Sequence, residues 1–236
     1  MNFYSEIDNL QMYVNSEGGV VESLKDSKVD ILYPMKEIKL KDGSSKVRGG
    51  IHSCMPNFGI DSLGKLNNHG YGRDFNWDLL DKKENYIALF LRGLEDYSNL
   101  DSYLEYEIKE NTLRMSLTFI NRDKKDLLIA PGFHPYFKSE NSYVKVEGNT
   151  FNNEELENSV YLEGNELNFE TKKYKFKYTG KNINTFVVWS DFKDDYICVE
   201  PTYNGPSFLK SYNKNPYNLK PKEKFEFEAI LSWEPK

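Results

Sequence analysis

Hydrophobic and polar residues alternate along much of this chain. In Thr112–Asn121 (TLRMSLTFIN), Leu113, Met115, Leu117 and Phe119 fall on one side, and Arg114, Ser116 and Thr118 on the other. A period of two predicts a half-buried antiparallel strand. The preceding Tyr103–Lys109 (YLEYEIK) alternates in the same way, and the connector Glu110-Asn111 suits a tight hairpin. Near the C-terminus, Phe225–Trp233 places Phe225, Phe227, Ala229, Leu231 and Trp233 on one face. Tyr86–Arg92, Tyr143–Gly148, Lys173–Tyr178, Thr185–Ser190 and Tyr196–Pro201 read as further strands. Helical signals are confined to Asn153–Asn158 and parts of the N-terminal region, enough for a turn or two. No fixed-period repeat emerges, and Ser211–Lys224 reads as a loop before the last strand rather than a linker. The pattern predicts an all-β protein, one domain over residues 1–236, built as a large sandwich of antiparallel sheets.

Composition narrows the function classes. With 39% hydrophobic residues in 236 positions the chain can build a sizeable core, which excludes global disorder. A net charge of −6 argues against a general nucleic-acid or anionic-membrane binder, but a few local arginines can still hold a small anion. No apolar run approaches the roughly 20 residues that span a bilayer. The start, MNFYSEIDNLQMYV, lacks the basic and apolar regions of a signal peptide. Cys54 and Cys198 lie far apart and form no CxxC pair, which fits a reduced intracellular protein. The expectation is a soluble, cytoplasmic protein, a monomer or weak dimer, without nucleic-acid or membrane partners.

Three stretches depart from strand-and-turn chemistry. Val47–Gly59 (VRGGIHSCMPNFG) and Asn67–Leu80 (NNHGYGRDFNWDLL) combine closely spaced glycines with Arg48, His69 and Arg73. Loops of this kind on a β scaffold are where binding sites sit, although structural turns with surface arginines share the composition. Ile129–Ser139 (IAPGFHPYFKS) sets His134 among aromatic residues, where a packed histidine is the simpler account of the ring taken alone. In Tyr196–Pro206 (YICVEPTYNGP), Glu200 ends an apolar run. Such a carboxylate has a raised pKa unless paired, which suits a general base near neutral pH. The three histidines, 52, 69 and 134, form no HxH or HxxxH pair, so no metal site is expected from spacing. Nucleotide-binding glycine motifs and a GxSxG elbow are missing too.

Taken in order, RGGIHSCMPNFG, HGYGRDFNW, GFHPYF and CVEP, with VVWSDF before the last, resemble the aldose 1-epimerases of the galactose-mutarotase-like superfamily. They are most similar to its hexose-6-phosphate mutarotase branch. The resemblance runs from Arg48 to Pro201, about two-thirds of the chain, and implies a β-supersandwich. It implies that Glu200 is the base on the anomeric hydroxyl and His134 the acid at the ring oxygen. His69 would hydrogen-bond the sugar, Arg48 and Arg73 would contact a phosphate, and Asp191 would be a further substrate-binding position. The implied substrate is a sugar or sugar phosphate, with no cofactor, since ring opening and reclosure need only one proton removed and another delivered. Phe58, Phe75, Trp77, Phe133 and Tyr136 are candidates for the sugar-facing walls. His52 and Asn57 stand where members of the family more often carry Pro and Trp. Rival readings are a mutarotase for unphosphorylated sugars and a sugar-binding protein without turnover.

Overall fold

The computed structural model describes residues 1–40 and 42–236. Among these residues two large antiparallel sheets dominate. One runs Asn2–Ile7, Leu10–Asn15, Val20–Asp26, Ile51–Cys54, Gly132–Lys138, Tyr196–Thr202, Thr185–Trp189, Val160–Glu163. The other runs Lys145–Val146, Leu167–Glu170, Tyr174–Lys181, Lys224–Pro235, Thr112–Asn121, Leu100–Lys109, Tyr86–Arg92, Asp78–Lys82. The all-β expectation holds.

Alternation dictates which side chains meet between the sheets. Leu113, Met115, Leu117 and Phe119 are fully buried, as are Phe227, Ala229 and Leu231 opposite them in the ladder. From the first sheet, Phe133 packs 5.7 Å from Phe227, and Phe137 packs 4.9 Å from both Phe169 and Phe176. Aromatic pairs at such separations add to what burial alone contributes. The predicted hairpin turn is present, with Glu110 at φ 51° between strands paired from Lys109 with Thr112 onward.

The structure corrects the N-terminal helical expectation. Residues 2–26 form a three-strand meander in which Leu10, Met12 and Val14 face the core. Asp8 and the Gly18-Gly19 pair take positive φ at its turns. Period-two alternation closed by a Gly-Gly turn was the available signal, and it outweighs helix propensity. The Asn153–Asn158 expectation is met by a single α-helical turn, Asn153–Glu157, capped by Asn152 and Glu155. The Tyr143–Gly148 strand shrinks to Lys145–Val146, and the Ser211–Lys224 loop contains one short strand, Tyr217–Leu219.

Candidate active site

Register on the first sheet assembles the site. Ile51–Cys54 pairs with Gly132–Lys138 so that His52 stands opposite His134. The neighbouring ladder sets Gly132 opposite Thr202 and Tyr136 opposite Cys198, which puts His134 opposite Glu200. Glu200 in turn faces Val187. Directly opposed residues point to the same face of an antiparallel sheet. His52, His134, Glu200 and Val187 therefore form one row across four strands, on the face away from the sandwich core. Phe133 and Phe137, one residue before and three after His134 and so on the opposite face, project into that core. They anchor the strand rather than frame the histidine ring.

That face forms the floor of a cleft of about 460 Å³, large enough for a monosaccharide. Five of the six candidate residues line it: Arg48, His69, Arg73, His134 and Glu200. Asp191 does not. Its carboxylate accepts hydrogen bonds from Arg48 Nη2 at 3.0 Å, Arg48 Nε at 3.3 Å and the Tyr196 hydroxyl. Of the expected aromatic walls, Phe58 and Tyr136 line the cleft, whereas Trp77 and Phe133 belong to the core and Phe75 is exposed elsewhere. Trp189, Tyr161 and Val187 line it as well, and sequence reasoning missed them. Alternation did carry part of the signal, since Val187 and Trp189 share a face of one strand.

His69 arrives from a turn. Its backbone has φ 68°, and Gly70 follows at φ 68°. A Cβ on Gly70 would lie 1.9 Å from the Met55 carbonyl oxygen, so only glycine lets this turn close onto the Ile51–Cys54 strand. The closure brings His69 Nδ1 to 2.7 Å from the Phe58 carbonyl and 3.4 Å from Cys54 Sγ. Arg73 sits in the 3-10 turn Gly72–Asp74, where its Nη2 donates to the Asn68 carbonyl at 3.1 Å.

Ring stacking holds His134. Its imidazole lies 4.7 Å from His52 and 4.8 Å from Tyr136, nearly parallel to both, while His69 and Trp189 meet it edge-on. Its Nε2 is 3.6 Å from Glu200 Oε1, and its Nδ1 has no hydrogen-bond partner in the protein. Burial drives the Glu200 carboxyl well above the usual carboxylate range. Burial, reinforced by His52 and His69, drives the His134 imidazole well below the usual histidine range.

Magnitudes decide which form the pair takes. Unit charges 3.6 Å apart attract by about 4–5 kcal/mol at an effective dielectric near 20. Removing both ions from water costs several kcal/mol each. Desolvation outweighs attraction, and the pair rests as a neutral carboxylic acid beside a neutral imidazole.

Donor atoms suited to a metal ion also converge here, contrary to what linear spacing suggested. His52, Cys54 and His69 place one ligand atom each within 4.8 Å of one another, as do His134, Cys198 and Glu200. Strand register and the glycine turn assemble these trios, and neither appears as a spacing motif. Both cysteines are free and buried. Among the described residues no helix is long and apolar enough to cross a membrane.

Similar solved structures define the class as an all-β, galactose mutarotase-like fold. A galactose mutarotase related enzyme from Lactobacillus acidophilus superposes with a TM-score of 0.82 at 14% identity, covering 99% of this chain and 97% of that one. A galactose mutarotase-like protein from Lactobacillus casei gives 0.82 at 15%, with 99% and 100% covered. Another from Clostridium acetobutylicum gives 0.73 at 18%, with 100% and 99% covered. At those identities the likeness establishes fold. The sequence itself matches the aldose 1-epimerase family over residues 5–202, and the chain belongs to that family. No curated protein matches the chain in sequence.

Proposed function

We propose that the chain is a mutarotase that interconverts the α and β anomers of an aldohexose 6-phosphate. One observation carries this reading: a buried carboxyl and a buried imidazole 3.6 Å apart on the floor of a sugar-sized cleft. Glu200 takes the proton of the anomeric hydroxyl, and His134 gives one to the ring oxygen. The ring bond breaks, the C1–C2 bond of the open aldehyde rotates, and the reverse transfers close the ring on the other face. After opening, Glu200 is a neutral acid and His134 a neutral imidazole, which is the state that burial favours. A sugar hydroxyl donating to Glu200 stabilises its carboxylate and draws the proton to His134 for the forward step.

Arg73, with its guanidinium at the rim, and Arg48 support a phosphorylated substrate, because a guanidinium fork matches a phosphate dianion. The engagement of Arg48 by Asp191 favours a second reading, in which the sugar is unphosphorylated and Arg48 is structural. Anomer exchange measured by NMR on glucose 6-phosphate and on galactose separates the two. A preference for galactose that survives Arg73→Ala would refute the phosphate. His134→Asn is expected to abolish most exchange while leaving sugar affinity nearly unchanged. Exchange at the wild-type rate in that variant would refute the acid–base assignment.

A further inference from the structure

We propose that His52, Cys54 and His69 form a three-ligand binding site for a soft divalent cation of the zinc class. By switching the His69 tautomer, the ion changes what that ring offers a sugar. The inhibitory consequence rests on the mutarotase reading above, whereas the binding does not.

The donors come from two elements that the fold locks together. His52 and Cys54 are two residues apart on one strand and share a face, and the Gly70 turn lays His69 against them. The ligand atoms of these three side chains lie within 4.8 Å of one another. Cys54 Sγ is 3.4 Å from His69 Nδ1, close to the separation of about 3.5 Å between sulfur and nitrogen on a tetrahedral zinc ion. The Phe58 carbonyl, which accepts from the same nitrogen at 2.7 Å, is too close to it to share a tetrahedral ion, so water would take the fourth position.

A further observation points to a ligand. His52 is only 9% exposed, and its Nε2 has no hydrogen-bond partner in the protein. A buried polar nitrogen left unpaired costs about 1–3 kcal/mol, so its retention on this face calls for an explanation that stacking on His134 does not supply.

Proton balance is straightforward. As the ion binds, Cys54 loses its thiol proton to solvent, and His69 changes tautomer so that Nδ1 ligates and Nε2 carries the hydrogen. One proton leaves per ion and the site gains one positive charge. Thiolate and imidazole donors select zinc-class ions over magnesium or calcium. The ion enters from the cleft, because His69 lines it whereas His52 and Cys54 lie beneath. With Nδ1 on the metal, Nε2 turns from hydrogen-bond acceptor to donor, so His69 no longer accepts from a sugar hydroxyl.

The test uses the full-length protein after chelator treatment. Zinc is titrated by calorimetry, and cobalt(II) by its thiolate charge-transfer absorption. One ion per chain is expected. Cys54→Ser is expected to lose the thiolate band and at least about tenfold in affinity, since even outer-shell losses cost about 10–100-fold. His52→Asn is expected to weaken binding by at least about tenfold too. Zinc should slow anomer exchange in the wild type and leave Cys54→Ser unaffected, and that variant should match wild-type activity in chelator. The absence of one-to-one binding would overturn the site, as would a thiolate band that persists in Cys54→Ser and vanishes in Cys198→Ser. If binding behaves as expected but no chelator-treated protein exchanges anomers, the metal site stands and the mutarotase reading falls.

Discussion

Glu200→Gln makes two demands on the buried pair at once. Glutamine keeps the shape of the neutral carboxylic acid but can neither accept nor release the proton. General acid–base catalysis by a positioned group contributes about 10²–10⁴-fold, or about 2.7–5.5 kcal/mol of transition-state stabilisation at about 1.36 kcal/mol per decade. Glu200 is the only carboxylate among the described residues that line the cleft, so the exchange rate measured by NMR is expected to fall by that full range. Stability should move the other way with pH. Between the ordinary carboxyl value of 4.5 and the raised native value, the folded chain holds a proton that the unfolded chain has released. Wild-type stability therefore declines as pH rises through this window, and the glutamine variant does not share the decline. Urea denaturation at several pH values should show the variant gaining on the wild type steadily from about pH 4.5 upward. A lost contact would give a constant offset, so the slope is diagnostic. A rate within tenfold of wild type, or a stability difference independent of pH, would refute the assignment of a buried, proton-holding Glu200.

Other parts of the molecule give sharper local tests. Arg73→Ala removes a charge-assisted contact worth about 1.5–3 kcal/mol, so KM for a hexose 6-phosphate should rise about 10- to 150-fold while the unphosphorylated sugar is little affected. In Gly70→Ala, a methyl 1.9 Å from the Met55 carbonyl and a strained φ of 68° should cost at least about 2 kcal/mol. Thermal denaturation reads that loss, and anomer exchange should slow as His69 is displaced. Asp194, whose carboxyl accepts from the Tyr33 hydroxyl at 2.6 Å and pairs with Lys36 at 3.0 Å, is held down to about 2. Its native pKa is depressed, so its contribution is present above the unfolded value of 3.8 and lost as pH falls toward 2. Discounted for partial exposure, Asp194→Asn should cost about 1 kcal/mol at pH 7 and almost nothing near pH 2.

Most strands were legible because alternation is a property of neighbours in sequence. Thr112–Asn121 and Lys224–Pro235 could be read residue by residue, and their inward faces are buried as the pattern required. The N-terminal meander was missed where Asn, Ser and Glu interrupt the apolar positions, although Leu10, Met12 and Val14 kept the period. The chemistry was legible only as an ordered set of fragments. That His134 and Glu200 are adjacent depends on the register between two strands over sixty positions apart, and no local pattern encodes it. The same holds for His52, whose place against His134 follows from pairing on the other side of that strand. Asp191 shows the opposite failure. The fragment that contains it was visible, but its partner, Arg48, lies across the fold.

The Gly132–Lys138 strand is committed on both sides, with phenylalanines locked into the sandwich and the His134 ring facing the cleft. Slipping it by one residue would bury His134 among Phe169, Phe176 and Phe227 and thrust two phenylalanines into the cleft. Such a chain would not survive as a sluggish or promiscuous variant, because the same error that blunts its chemistry removes its core. Quality control is thereby built into assembly, since copies that mispair here unfold and are degraded instead of lingering as inert decoys. Changes that retune the cleft at least cost to the core therefore fall on side chains such as Arg73 and Leu209, which line it from outside the paired strands.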